Sequence, residues 1–431
     1  MKKILSLIIL LLPFLFYAQK KETIDWITAN SITIEDANPD TELAIFASNP
    51  PIKFEKAKIY GFGEATHETK EFFDIKAKFF KYLVLNKGLK VFILEDHYQA
   101  EAGINNWIKG GKGDKKTITD HLTVGFWKTQ EMTDLLEWMR KYNLEKPKEE
   151  QLTFYGMDIQ LGHNINREIR DFVLLNKITV DENLLLVADS CSNQRIDFQK
   201  PSDWWQLQTP QLHHLKQQIA DSNLGKEKYQ PIERALDYLI RYTEFAASIK
   251  EKYPASTEFR DLKMFENVKY IVGQQPENDK VFIWAHNEHI NKKEMYDSGS
   301  GIINLGRHLK DYYQDDFYSI GFDFGTGTLV GSVAAKKNEN PWQRYSLTKP
   351  FPKTYAEVLM SINKPVFFID MEEAYVHEPT RFFSKKSKYL LVGGDGYQPK
   401  PLHRILIHKI FYEAYDGLIF VKEISLPHHP H

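Results

Sequence analysis

The chain has 431 residues, 42% hydrophobic and 26% charged, with 56 basic and 58 acidic side chains and a formal net charge of −2. That composition belongs to a folded protein with a large core and excludes collagen-like, coiled-coil and disordered classes. Its charges are mixed along the chain, so the basic footprint of a nucleic-acid binder is missing, and the lone Cys191 rules out an internal disulfide or a multi-cysteine metal site.

Lys2 and Lys3 precede a largely apolar run from Ile4 to Tyr17, followed by Ala18 and the polar Gln19, Lys20 and Lys21. This is the pattern of a secretory signal peptide over residues 1–18. The run is shorter than the ~20 residues a spanning helix needs, and Pro13 interrupts it. Export to the periplasm or the extracellular space is therefore expected, with no membrane attachment after cleavage. The remainder, 19–431, reads as one main domain.

In that remainder, Ala57 to Gly61 reads as a short strand and Glu68 to Leu85 as a helix, with Phe72, Phe79 and Leu83 at helical spacing. Val91-Phe92-Ile93-Leu94 is a continuous apolar run, as in a strand buried on both faces. Thr129 to Tyr142 reads as a second amphipathic helix and Leu152 to Tyr155 as a third strand; this alternation predicts a parallel sheet. From about 166 to 275 the pattern changes to long helical stretches, including Pro210 to Asp221, Ile232 to Lys252 and Glu258 to Val272, and reads as a helical insertion. Strand signals return at Val281 to Trp284, Phe317 to Phe322, Val366 to Ile369 and Gly417 to Val421. The expected fold class is α/β, a three-layer α/β/α architecture with a mostly parallel central sheet and a helical insertion.

Ionisable residues gather where these strands end. Gly63-Glu64-Ala65-Thr66-His67 follows the first strand, Glu95-Asp96-His97 the second, Asp158 the third, His286-Asn287-Glu288-His289 the next and Asp323 the one after. In open parallel sheets the carboxyl ends share the edge where ligands bind, so distant segments converge there. Each segment alone also reads as ordinary structure: Glu64 and His67 as helix-capping residues beside Thr66, Asp158 as a turn residue, and the two later histidines as satisfied core or rim groups. Lys76 lies on the apolar stripe of its helix, where a lysine is costly unless it snorkels or is paired; Glu64 and Glu95 are its candidate partners. No Gly-x-Ser-x-Gly elbow, zincin motif or Walker loop occurs. A mixed imidazole and carboxylate set from His67, His286, His289 and Glu64 or Glu95 also suits a first-row metal ion.

These segments resemble the erythromycin esterase family: Gly63 to His67 with Glu71-Phe72-Phe73, Leu94-Glu95, Phe154 to Gln160, Arg260-Asp261 with Met264 and Glu266-Asn267, Trp284 to His289, Ile320-Gly321-Phe322 and Tyr415 to Leu418. The resemblance spans nearly the whole mature chain. It implies hydrolysis of a small-molecule ester or macrocyclic lactone by activated water, with no covalent intermediate, metal or other cofactor. His67 is then the base, Glu64 and Glu95 orient water and imidazole, and His286 and His289 face the carbonyl oxygen; an unperturbed imidazole pKa of about 6.5 suits such a base. Lys76, Arg260 and Asp158 are the expected substrate-binding residues. Two departures stand out: Lys76 where the family often carries arginine, and Glu288 where many members have a small residue. Two other readings use the same residues, a metal-dependent hydrolase or peptidase and an exported non-catalytic binding protein.

Overall fold

The computed structural model describes residues 19–429 apart from 223, 252, 333–341 and 395, so residues 1–18, expected to be a signal peptide, lie outside the described residues. The strands are β1 (Ile32–Thr33), β2 (Ile59–Phe62), β3 (Leu89–His97), β4 (Thr153–Asp158), β5 (Lys280–Trp284), β6 (Phe317–Ser332), β7 (Trp342–Leu347), β8 (Val366–Asp370), β9 (Ser387–Leu390), β10 (Leu406–Lys409) and β11 (Gly417–Ile424). With the helices between them they give the expected three-layer α/β/α class, its sheet mixed but mostly parallel. The chain forms two compact units, the first running up to Lys90 and including Thr129–Leu135 and everything from Asn278, the second made of Val91–Lys128 and Leu136–Glu277.

In the first unit the strands run β1-β8-β11-β6-β2-β5, with β7 along the distal half of β6. β11, β6, β2 and β5 are mutually parallel, with Gly61 opposite Ile283 on one side and Ser319 on the other. β8 joins antiparallel to β11, and β1 antiparallel to β8, so the 366–369 strand is an antiparallel member of the mostly parallel sheet. β9 and β10 make a separate small antiparallel sheet. The helix Lys70–Lys87 buries Phe72, Ile75, Phe79 and Leu83 and stops at Gly88, whose φ of 68° lets its N–H close on the Leu83 carbonyl. Aromatic rings tie it to the sheet: Phe79 lies 5.2 Å from Phe62, which stacks at 4.6 Å on Phe282.

In the second unit β3 and β4 pair in parallel, Leu94 opposite Gly156, with a bulge between Leu94 and His97. Glu95, Asp96 and His97 are thus the last residues of β3 rather than the loop beyond it, and the bulge redirects their side chains. Asp323, expected after a strand, sits inside β6 opposite Phe420, because β11 and β7 keep the ladder of β6 satisfied past its glycines. Between Asp158 and Lys280 the described residues form no strand. Helices Ile165–Leu175, Glu182–Asn193, Trp204–Ala220, Lys226–Ser248 and Ala255–Gly273 pack around Ile169, Leu184, Leu212, Leu215, Leu236, Tyr238 and Tyr242. No helix among the described residues is long and apolar enough to cross a membrane.

Candidate active site

In the first unit, Glu64 is the hub. It leaves β2 fully buried, and its Oε1 lies 2.6 Å from His67 Nδ1. An ionised carboxylate only accepts, so Nδ1 is the donor of this pair. The other oxygen, Oε2, accepts from Lys76 Nζ and, at 3.2 Å, from Trp284 Nε1. Lys76 is fully buried as well, its ammonium 3.9 Å from the centre of the Trp284 ring, so the lysine on the apolar stripe is paired rather than snorkelling. The helix after this segment starts only at Lys70, with Thr69 as its N-cap residue. Glu64 and His67 therefore do not cap it.

The histidine segment follows β5. Asn287 fastens it to the sheet by donating to the Phe322 carbonyl at 2.7 Å and accepting from the Phe322 N–H at 3.0 Å, while its own N–H donates to the Glu64 carbonyl at 3.0 Å. That clamp requires Gly63, because a Cβ there would stand 2.1 Å from Asn287 Oδ1. The His286 ring lies 5.1 Å from that of His67, tilted by 45°. Both its nitrogens are engaged: Nδ1 accepts from the Glu288 N–H at 3.2 Å and Nε2 donates to the Val392 carbonyl at 3.0 Å. His289 is buried one residue beyond Glu288, in the helix Asn287–Ile290. Glu288 pairs with the buried Lys409 at 2.8 Å, a partner without any local signal in the sequence.

The second unit holds the other predicted residues. Arg260 grips Asp158 with both arms of its fork, Nε to Oδ1 at 2.9 Å and Nη2 to Oδ2 at 2.8 Å, and reaches Glu95 Oε1 at 3.0 Å. Burial opposes ionisation of Asp158, but the Arg260 charge, aided by His97, outweighs it and holds the carboxyl well below the usual range. His97 Nε2 lies 3.5 Å from Asp158 Oδ2. Its Nδ1 meets the Thr123 hydroxyl at 2.5 Å, and that hydroxyl donates to Asp96. Arg260 thus forms ion pairs with Asp158 and Glu95.

The structure thus brings Glu64, His67, Lys76 and His286 together in one unit and Glu95, Asp158 and Arg260 together in the other. Among the described residues, no group of three or more histidine, cysteine, aspartate and glutamate side chains is disposed to hold a metal ion.

The family model for erythromycin esterase matches residues 84–424. The chain belongs to the erythromycin esterase family. Among curated relatives, the type II erythromycin esterase of Escherichia coli is 25% identical over 70% of this chain and 77% of its own length. The putative hydrolase YbfO of Bacillus subtilis is 22% identical over 88% of this chain and 87% of its own. The fold is shared with a solved mutant erythromycin esterase in its open conformation, at a TM-score of 0.64, 17% identity and coverage of 93% of this chain and 99% of that one. Membership of the erythromycin esterase family supports a hydrolase acting on a small molecule. Within this member, the sequence offered no pointer to Lys409, Tyr389 or Val392, which hold the histidine segment from strands and a turn more than a hundred residues later.

Proposed function

We propose that this chain is an exported hydrolase of carboxylic esters or macrocyclic lactones in which His67 activates water. The observation that carries the reading is the division of the Glu64 carboxylate, one oxygen on His67 Nδ1 and the other on Lys76 and Trp284. A buried carboxylate behind Nδ1 fixes the tautomer and stabilises the imidazolium that forms when Nε2 takes a proton, the same service that the aspartate gives in a serine triad. Hydroxide from the water adds to the ester carbonyl. The tetrahedral adduct then collapses, expelling the alkoxide, which recovers the proton from His67 to leave as an alcohol.

In this reading His289 supplies positive charge or a donor to the developing oxyanion, and His286, with both nitrogens engaged, walls His67 and carries the turn to His289. Lys76, fully buried against Glu64, acts as a positioning residue rather than a substrate contact. Glu95 accepts from Arg260, which Asp158 grips in turn. The test uses the purified mature protein, aryl esters and macrocyclic lactones in ¹⁸O-labelled water. Wild type should release one labelled carboxylate oxygen per turnover with no acyl-enzyme detectable by mass spectrometry, and His67→Ala should lose roughly 10³-fold or more in kcat. Equal rates for the two proteins, or no turnover of any ester, would refute it.

A further inference from the structure

Three consecutive side chains of the histidine segment are held from one side by the small β9–β10 sheet and the turn after β9. His286 Nε2 donates to the Val392 carbonyl at 3.0 Å, Asn287 Nδ2 donates to the Tyr389 hydroxyl at 2.7 Å, and Lys409 Nζ donates to Glu288 Oε2 at 2.8 Å. The same Glu288 oxygen accepts the Tyr296 N–H at 2.6 Å, and the Glu288 carbonyl accepts from Asn304. Lys409 also lies 3.4 Å from the Glu294 carbonyl, and its own carbonyl accepts the Tyr355 hydroxyl at 3.0 Å.

The helix that carries His289 has only 4 residues, Asn287–Ile290. A single turn has no stability of its own, so its orientation comes from what grips it. Asn287 fixes one side to β6; Glu288 fixes the other through Lys409. The Glu288 and Lys409 side chains are 3% and 1% exposed, and Glu288 Oε1 has no hydrogen-bond partner. A buried ion pair with one oxygen left over is a poor source of stability, since apolar replacement of such pairs is often neutral. It is well suited to holding a segment in one register.

We infer that Lys409, acting through Glu288, is a positioning residue that sets the orientation of His289 and His286. The inference rests on the reading that these histidines serve ester hydrolysis. It also explains how this chain accommodates a carboxylate between them, since Lys409 takes up the Glu288 charge.

The experiment compares wild type with Lys409→Met, Lys409→Arg, Glu288→Gln and the double variant Glu288→Gln/Lys409→Met, which removes both charges and avoids a lone buried ion. Two readouts are taken on the full mature chain: steady-state ester hydrolysis, and ring spectra of ¹⁵N-histidine-labelled protein with His289→Gln and His286→Gln used for assignment. Misplacement of a reacting group by about 1 Å costs on the order of 10²-fold. The expected result is a roughly 10–100-fold fall in kcat for Lys409→Met and for the double variant, with KM within about threefold, displaced His286 and His289 ring signals, and partial rescue by Lys409→Arg. A folded double variant with wild-type kcat and unmoved ring signals would overturn the inference. If wild type hydrolyses no ester, the proposed function fails, while the ring signals still decide whether Lys409 positions the histidines.

Discussion

Replacing Lys76 by methionine removes the ammonium from a pair in which both side chains are fully buried. Glu64 Oε2 is left with only the Trp284 N–H at 3.2 Å, and the contact of the ammonium with the indole, 3.9 Å from its centre, is lost too. Breaking one partner of a buried pair costs about 3–5 kcal/mol, because the other charge stays behind. Against a total stability of about 5–15 kcal/mol, that is enough to put a large share of the chain at risk at 37 °C. Adding Glu64→Gln removes the stranded charge, so the double variant should regain most of the lost stability. Activity should not follow. Glutamine still offers an acceptor to His67 Nδ1–H, but it exchanges a charged hydrogen bond of about 1.5–3 kcal/mol for a neutral one of about 0.5–1.5. The difference of about 1–2 kcal/mol corresponds to a fall of roughly 5–30-fold in kcat/KM, present in Glu64→Gln and undiminished in the double variant. Urea melts followed by circular dichroism give the stabilities, and ester turnover per folded molecule gives the rates. A double variant as unstable as Lys76→Met, or one whose rate recovers along with its stability, would show that Glu64 does not orient His67 in this way.

Gly63→Ala should destabilise the chain by about 1–3 kcal/mol and reduce turnover, since its Cβ would meet Asn287 Oδ1 at 2.1 Å and the Ile320 carbonyl at 3.1 Å; an unchanged melt would contradict it. Burial pushes the Asp323 carboxyl up to about 7, with the Phe324 N–H only partly opposing it. The folded state therefore holds that proton above the unfolded value of about 3.9, and wild type loses stability as pH rises from about 4 to 7. Asp323→Asn should flatten that window and be more stable than wild type at pH 8; parallel stability curves would refute the assignment. Asp158 has the opposite sign: burial is outweighed by Arg260 and His97, so its contribution is full above the unfolded value and is lost as pH falls through its lowered pKa. Arg260→Met should move acid unfolding to higher pH, and an unshifted acid midpoint would refute the pairing.

The strand-end segments were legible because each couples a local apolar run to polar residues immediately after it. Lys76 was legible for a related reason, as a charge on an apolar helical stripe demands a partner, and Glu64 is that partner. Pairing direction was not, since nothing in Val366-Phe367-Phe368-Ile369 tells a parallel strand from the antiparallel one that β8 is. The reading of β6 stopped at Phe322, where glycines break the apolar run; the strand continues to Ser332 because partners on both sides supply its ladder. β9 and β10, with the sequences SKYL and LIHK, are too short and too polar to announce themselves. Hence Lys409, 121 residues from Glu288, had no signal at all.

That division follows the division of labour in the first unit. The proposed base and the carboxylate behind it, His67 and Glu64, are three positions apart, so their pairing is written into one short segment. The histidines opposite sit on a turn too short to hold itself, and the contacts that tie it to the rest of the unit include ones from residues distant in the chain: Phe322 on β6, Tyr389 on β9, Val392 in the turn after it and Lys409 on β10. Local chemistry can be read from neighbours; orientation cannot, because it is set by whatever the fold delivers from elsewhere. On the proposed mechanism, a substitution in the small β9–β10 sheet should therefore alter turnover without touching any residue that a motif search would flag.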